Sequence, residues 1–404
     1  MSKLDELIAE LCPDGVPFKR IKDVYTRLKG TPITAGKMKD ISSDEGEIRI
    51  FAGGKTVIDA HEVDIPKANI TRVPAVLVQS RGVIDFVYYD KPFTFKNEMW
   101  AYTAENKVSV KFLYYVLKNN ISFFRDAASG MGSLPQISLK ITEDYRLPVP
   151  PLKVQREIVH ILDSFTLLTA ELTAELTARR KQYEFYRDEL LTFDTDVKIE
   201  PLGKLCELQA GKAIKAFLIS EEKTPMAPIP CYGANGLRGY VNDYNQEGNK
   251  SVIGRQGALC GNVCYATGKY YATEHAVVVT DKGYFNSRYL FHALTHADLN
   301  QYKTAGAQPG LSVSRLNEVK IAVPNRNVQD KIANVLDNFE SICTDLNIGL
   351  PAEIEARQKQ YEYYRDLLLT FAETGNTIVT DRQTDRQTDR QTDRQTDRQT
   401  DRQT

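Results

Sequence analysis

Apolar residues recur at steps of three and four along two segments of the chain. In the first they fall at Ile158, Leu162, Phe165, Leu168, Leu172, Leu176, Tyr183, Tyr186 and Leu190. In the second they fall at Ile332, Leu336, Phe339, Ile342, Leu346, Leu350, Ile354, Tyr361, Tyr364 and Leu368. This spacing predicts two long helices, each with a narrow seam of coiled-coil type. About 40 residues at ~1.5 Å each make a rod of roughly 60 Å. Gly349 and Pro351 are expected to kink or interrupt the second rod. A rod with one thin apolar stripe needs a partner, and the nearest is its own copy, packed antiparallel.

The two seams belong to an internal repeat. Gln155-Arg156-Glu157-Ile158-Val159-His160-Ile161-Leu162-Asp163 returns as Gln329-Asp330-Lys331-Ile332-Ala333-Asn334-Val335-Leu336-Asp337. Lys181-Gln182-Tyr183-Glu184-Phe185-Tyr186-Arg187-Asp188 returns as Lys359-Gln360-Tyr361-Glu362-Tyr363-Tyr364-Arg365-Asp366. Both copies end in Leu-Leu-Thr-Phe.

Ahead of each rod the pattern changes to short apolar runs between glycine and proline turns, which reads as strands. Both blocks open on an apolar-polar stretch, at 18–24 and 199–205, and then carry a glycine turn, Gly53-Gly54 and Gly233-Ala234-Asn235-Gly236. Both have a strand ending in a basic turn, Ser80-Arg81-Gly82 and Gly254-Arg255-Gln256-Gly257. A helix follows, at 110–118 and 287–294, then a loop of small residues, at 129–133 and 305–310, and a proline-marked strand. The expected fold is α+β: two mixed domains related by a pseudo-twofold, joined by two long antiparallel helices. The expected divisions are 1–150, a central helix over 151–194, 195–324, a C-terminal helix over 325–374, and a tail over 375–404.

Composition narrows the class. The 404 residues include 52 Lys+Arg and 53 Asp+Glu, with 42% hydrophobic residues, as in an ordinary globular protein. No apolar run approaches the ~18 residues of a membrane helix. Met1-Ser2-Lys3-Leu4-Asp5-Glu6 is charged, and six cysteines are too few for a disulfide scaffold. A cytoplasmic protein with reduced thiols is therefore expected. The net charge of −1 hides a regional pattern. Residues 13–150 carry 20 basic against 16 acidic groups, and residues 199–324 carry 13 against 10. Both blocks are mildly basic, with acidic connections.

Signatures of catalysis are missing. Gly54-Lys55-Thr56 resembles a phosphate loop, but Arg49 stands where that motif needs glycine. No Asn/Asp-Pro-Pro-aromatic or Gly-x-Gly-x-x-Gly sequence occurs. Cys260 and Cys264 have no second Cys/His pair nearby and read as buried strand cysteines rather than metal ligands. His292 and His296 read as residues of a partly exposed helix. No catalytic residue and no metal site is expected.

Side chains suited to nucleic acid are present. Arg81 and Arg255 follow strands and sit beside glycines, where an arginine forks onto a guanine edge or a phosphate, or pairs with a surface carboxylate. Lys37, Lys39 and Lys55 flank glycines in the first block, and Lys212, Lys215 and Arg238 do so in the second, which suits phosphate contact or plain solvation. Asn235, Gln256 and Gln308 carry amides that either pair with adenine or cap turns. The repeated clusters Tyr183, Tyr186, Arg187 and Tyr361, Tyr364, Arg365 suit either a subunit interface or the core of the rod.

The paired Gln-x-x-Ile-x-x-x-Leu-Asp openings and Lys-Gln-Tyr-x-x-Tyr-Arg-Asp closings, with the Thr-Ala-Glu-Leu tandem at 169–176, resemble the specificity subunit of type I restriction-modification enzymes. The tandem is most similar to the IC subclass. In the second block Tyr232-Gly233-Ala234-Asn235-Gly236, Gly254-Arg255-Gln256-Gly257 and Gly306-Ala307-Gln308-Pro309 share the likeness, which covers about residues 12–372. The resemblance implies two target-recognition domains reading a split double-stranded DNA site. It implies helices that hold two adenine-methylating modification subunits using S-adenosylmethionine. Restriction subunits using ATP and Mg would join them, with no cofactor in this chain. The first block departs most from the family pattern. Two other readings stay open: a self-contained DNA-modifying enzyme, and a coiled-coil adaptor that binds no DNA.

The tail repeats Asp-Arg-Gln-Thr six times from Asp381 to Thr404. The repeat holds no apolar residue and is expected to be disordered. The codons GAC, AGA, CAG and ACA give this period from a GACA repeat, so slippage would shift the frame and make the gene end phase-variable. Synonymous codons breaking the GACA unit would exclude that origin.

Overall fold

The computed structural model describes residues 3–54, 56–129, 134–193, 196–257, 259–304 and 309–374, with the side chains of 371–374 excepted. Lys55, Gln308 and the repeat tail lie outside the described residues. The chain divides into two compact units, 1–170 with 356–404, and 171–355.

In the first unit a four-stranded antiparallel sheet runs in the order Thr26–Lys29, Trp100–Thr103, Ala75–Gln79, Asp85–Tyr89. A smaller sheet has the order Val57–Ala60, Ile48–Phe51, Phe93–Phe95, with the last pair parallel. All five residues of Ala75–Gln79 are buried because the strand is covered on both faces. Val76 and Val78 pack into one core with the helix Lys107–Asn119. Ala75 and Leu77 pack into a second with Phe51, Phe93, Phe95 and Met99. A strand covered on both sides loses the alternation of a one-sided sheet and reads as a continuous apolar run. The helix Lys3–Leu11, which carries no motif, adds Leu4 and Ile8 to the first core.

The second unit repeats the plan. One sheet runs Cys206–Ala210, Ala276–Asp281, Lys250–Gly254, Val263–Ala266. The other runs Gly236–Val241, Ile229–Gly233, Lys269–Ala272, Gln246–Glu247, again with a parallel pair at its centre. Val277 and Val279 face the core with the helix Ser287–His296, while Ala276 and Val278 face the one between the sheets. Each apolar-polar opening stretch makes a short strand and then one helical turn. These are Phe18–Arg20 with Ile21–Val24, and Lys198–Pro201 with Leu202–Leu205. Ile21, Leu202 and Leu205 are buried, and one turn of helix brings Leu202 and Leu205 to the same side.

Leu152–Leu191 is one helix of 40 residues, its first part in one unit and its second in the other. The second rod is interrupted, as Gly349 and Pro351 require, into Arg326–Thr344 and Leu350–Thr374. Within the second unit Tyr186 stacks on Phe339, and the charges of Arg179 and Arg180 act on Cys343. The higher number on one helix meets the lower on the other, so the two run antiparallel. In the first unit Phe165 stacks on Tyr364 in the matching pair.

The repeated motif has a structural use in both units. Gln155 and Gln329 are buried and donate from Nε2 to the carbonyls of Pro150 and Pro324, 2.8 and 2.9 Å away, closing the turn into each helix. The motif aspartates hold the domain helix. Asp163 accepts a hydrogen bond from Tyr115 and lies 3.4 Å from Lys111 Nζ. Asp337 accepts from His292 Nε2 at 2.6 Å and pairs with Arg288 at 2.7 Å. Lys111 lies over the ring of Tyr88, and Arg288 over that of Tyr265. His292 is fully buried, on the side of its partly exposed helix that faces the rod. Burial lowers its pKa, with Asp337 only partly offsetting this.

Candidate nucleic-acid interface

Arginine pairing singles out a few side chains. In the two sheet blocks Arg20, Arg27, Arg49, Arg72, Arg125, Arg146, Arg288 and Arg315 are all held by carboxylates or carbonyls of the chain. Among the described residues, the side chains of Arg81, Arg238 and Arg255 have no such partner. An arginine left in this state keeps its whole donor fork for a ligand.

In the second unit backbone hydrogen bonds gather the candidates around the turn 272–276. Arg255 N donates to His275 O at 2.9 Å, Thr273 N to Tyr232 O at 2.9 Å, and Lys212 N to Ala272 O at 2.9 Å. Gly254 lets the strand end pass under the turn 233–236, since a Cβ there would lie 1.9 Å from Ala234 O. Asn235 Oδ1 lies 3.4 Å from Asn262 Nδ2, so Asn262, which no motif marked, joins the group. Asn235, Arg238, Gln256, Lys212 and Lys215 are all exposed and Arg255 is half-exposed. The structure thus brings together Lys212, Asn235, Arg238, Arg255 and Gln256, and Lys215 follows three residues after Lys212.

The first unit builds the same corner with other residues. Gly82 N donates to Pro135 O at 2.8 Å, and Ile137 N to Ser80 O at 3.0 Å. The counterparts are Gly257 N to Pro309 O at 3.0 Å and Leu311 N to Arg255 O at 2.8 Å. Arg81 bridges to Gln136 as Gln256 bridges to Gly310. Gly82 and Gly257 both take positive φ, +80° and +84°, a backbone state that disfavours other residues. This register sets Arg81 against Gln256 and Ser80 against Arg255. The two arginines therefore stand at successive positions, which point opposite ways on a strand. Ser80 is buried and donates to Glu98 O. Lys37 and Lys39 are exposed on the short helix Ala35–Asp40, which is held through Met38 in a separate core.

The helix clusters divide by exposure. Tyr183 and Tyr361 pack against the two main cores. Tyr186 and Tyr364 stack on Phe339 and Phe165, and Arg187 and Arg365 cover the rings of Tyr183 and Tyr361. Tyr186 keeps 40% of its surface open, and the aromatics turned furthest to solvent are Phe185, 63% exposed, and Tyr363, 58% exposed. The motif reading passed over both; their place in the repeat was the available signal.

Two domains of one topology, each presenting an arginine without a carboxylate partner at a strand-end corner and each latched to a long helix, define a duplicated recognition module. The model of the type I restriction modification DNA specificity domain matches residues 13–179 and 195–356. The chain belongs to this family, as a DNA-recognising specificity subunit of the type I restriction-modification class. It is 32% identical to the EcoR124I/EcoR124II specificity subunit of Escherichia coli over 92% of this chain and 97% of that one. It is 43% identical to the EcoprrI specificity subunit of Escherichia coli over 59% of this chain and 62% of that protein. Its fold is similar to the crystal structure of the S subunit of a type I restriction-modification system from M. genitalium, with a TM-score of 0.62 at 19% identity, covering 88% of this chain and 96% of that one. Among the described residues no helix is long and apolar enough to cross a membrane.

Proposed function

We propose that this chain reads a bipartite DNA site, one half with each domain, and does no chemistry itself. The observation that carries this is the pair of corners, alike in backbone and unlike in side chains: Ser80-Arg81 in one domain, Arg255-Gln256 in the other. Equal frames present different donors, as two unlike half-sites require. Lys37, Lys39, Lys55, Arg81, Lys212, Lys215, Asn235, Arg238, Arg255, Gln256 and Gln308 are the proposed DNA contacts, the lysines to phosphate.

The long helices carry two copies of a modification subunit, one for each unit. Phe185 and Tyr363 support this, because two copies of one partner need a repeated contact. Tyr183, Arg187, Tyr361, Tyr364 and Arg365 brace those positions from beneath, and Tyr186, partly exposed against Phe185, shares the contact. S-adenosylmethionine serves the modification subunits, and ATP with Mg serves restriction subunits that join the complex.

Adenine-methylation mapping of DNA from cells expressing this chain with a modification subunit tests the reading. It predicts one split motif with an unread spacer. A continuous motif, or methylation by the purified chain alone, would contradict it.

A further inference from the structure

Among the exposed apolar side chains of the second domain, which include Met226, Leu237 and Leu259, Phe217 and Leu218 share one loop. After the strand Cys206–Ala210 the chain runs through Lys212 and Lys215 into the short turn Ala216–Leu218. Phe217 is 79% exposed and Leu218 53%. No acidic residue lies between Gly211 and Ser220, and Lys215 Nζ sits 5.7 Å from the centre of the Phe217 ring. The loop leaves from the recognition corner itself: Lys212 N bonds Ala272 O, and Tyr271 OH donates to Ala213 O at 3.3 Å. An uncovered phenylalanine on a basic loop, continuous with a DNA-reading corner, calls for an occupant that is apolar where the ring touches and anionic around it.

The first domain identifies that occupant. There Thr31 N bonds Phe95 O at 2.7 Å, as Lys212 N bonds Ala272 O. The segment that follows is the helix Ala35–Asp40, which exposes Gly36, Lys37 and Lys39 in place of Phe217 and Leu218. The apolar pair has no counterpart. A contact with two copies of one protein partner recurs in both halves, as Phe185 and Tyr363 do. A contact that does not recur belongs to what differs between the halves, the DNA half-site.

We infer that Phe217, backed by Leu218, is a base-contacting residue of the second domain, its ring covering the apolar surface of a DNA base. That surface is either the C5-methyl of a thymine in the major groove or the face of an unstacked base. The inference rests on the bipartite reading above.

The test uses the full chain assembled with its modification subunit, and a duplex of about 30 base pairs bearing the mapped site. Phe217→Ala should weaken binding roughly five- to hundredfold and relax the methylated motif at one or two positions of one half, with melting temperature unchanged. Phe217→Leu should retain most of the affinity. If a thymine methyl is covered, deoxyuridine at one thymine of that half weakens the wild type and leaves Phe217→Ala indifferent. If a base face is covered, 2-aminopurine in that half brightens with the wild type and not with Phe217→Ala. Wild-type affinity within twofold and an unchanged motif for Phe217→Ala overturn the inference. So does a loss of assembled mass in light scattering, which would make the loop a protein contact. Failure of the wild type to give a split motif would instead remove the bipartite reading.

Discussion

Replacing Asp337 with alanine tests the latch between the second domain and its helix. The carboxylate accepts from His292 at 2.6 Å and from Arg288 Nε at 2.8 Å. Truncation leaves the fully buried His292 without that acceptor, a loss of about 1–3 kcal/mol. Arg288 is less affected, since it keeps its pairing with Glu340 and its place over the rings of Tyr265 and Phe291. The Asp337 side chain is 34% exposed, so the total falls below the 3–5 kcal/mol of breaking a buried pair, at about 2–3 kcal/mol. For a unit of this size that lowers the melting temperature by roughly 5–10 °C. Hydrogen exchange should show lost protection in Ser287–His296 and none in Lys107–Asn119. The pH dependence has a fixed sign. Burial holds His292 below its ordinary pKa; burial opposes the Asp337 carboxylate, but Arg288 and His292 outweigh this and hold it low as well. Both groups then bind fewer protons folded than unfolded, so stability rises with pH. The second unit should keep its full stability above the ordinary histidine range and lose part of it as pH falls through that range. Tyr115, which fills the matching place in the first unit, stays neutral because burial raises its pKa. A drop under 2 °C for Asp337→Ala, or protection lost equally in both domain helices, would refute the latch.

Phe185→Ala with Tyr363→Ala should cost under about 0.5 kcal/mol of folding, as exposed positions do, and yet reduce the modification subunits bound per chain, read by light scattering; Tyr364→Ala should instead cost stability, through Phe165. Arg255→Ala should weaken specific binding by about 1–3 kcal/mol and relax one position of one half-site, read by methylation mapping against Lys212→Ala, which should lower affinity evenly across sequences. A further Thr-Ala-Glu-Leu after Leu176 lengthens the helix by about 6 Å, so the unread spacer should grow by one or two base pairs at ~3.4 Å each, and an unchanged spacer would count against the helix as a ruler.

The helices were legible because a seam of period 3.5 survives in any context, and the break at Gly349 and Pro351 because backbone chemistry imposes it. The strands were legible as apolar runs, but the two-sided burial that makes Ala75–Gln79 continuous emerges only when the second core is present. Lys3–Leu11 carries no repeat, and its signal, apolar residues at Leu4, Leu7, Ile8 and Leu11 in helical spacing, is too short to stand out beside the long seams. At the recognition corners, glycine spacing marked the place and misled on the register: Arg81 and Arg255 look equivalent in sequence, and the hydrogen bonds to Pro135 and Pro309 set Arg81 against Gln256. Tyr183 and Phe185 differ by two places in one motif, and which of them faces solvent depends on the domain packed against the helix. Phe217 was invisible for the same reason, since apolar residues in a loop declare themselves only when nothing covers them.

Exchange of one domain shows whether the two halves of the molecule read DNA independently. Residues 13–150 are replaced by the corresponding block of a relative with another specificity, the hybrid is expressed with its modification subunit, and methylated adenines are mapped across the genome. One half of the split motif should change while the other half and the spacer stay as they were. A change in both halves, or in neither, would contradict the bipartite reading.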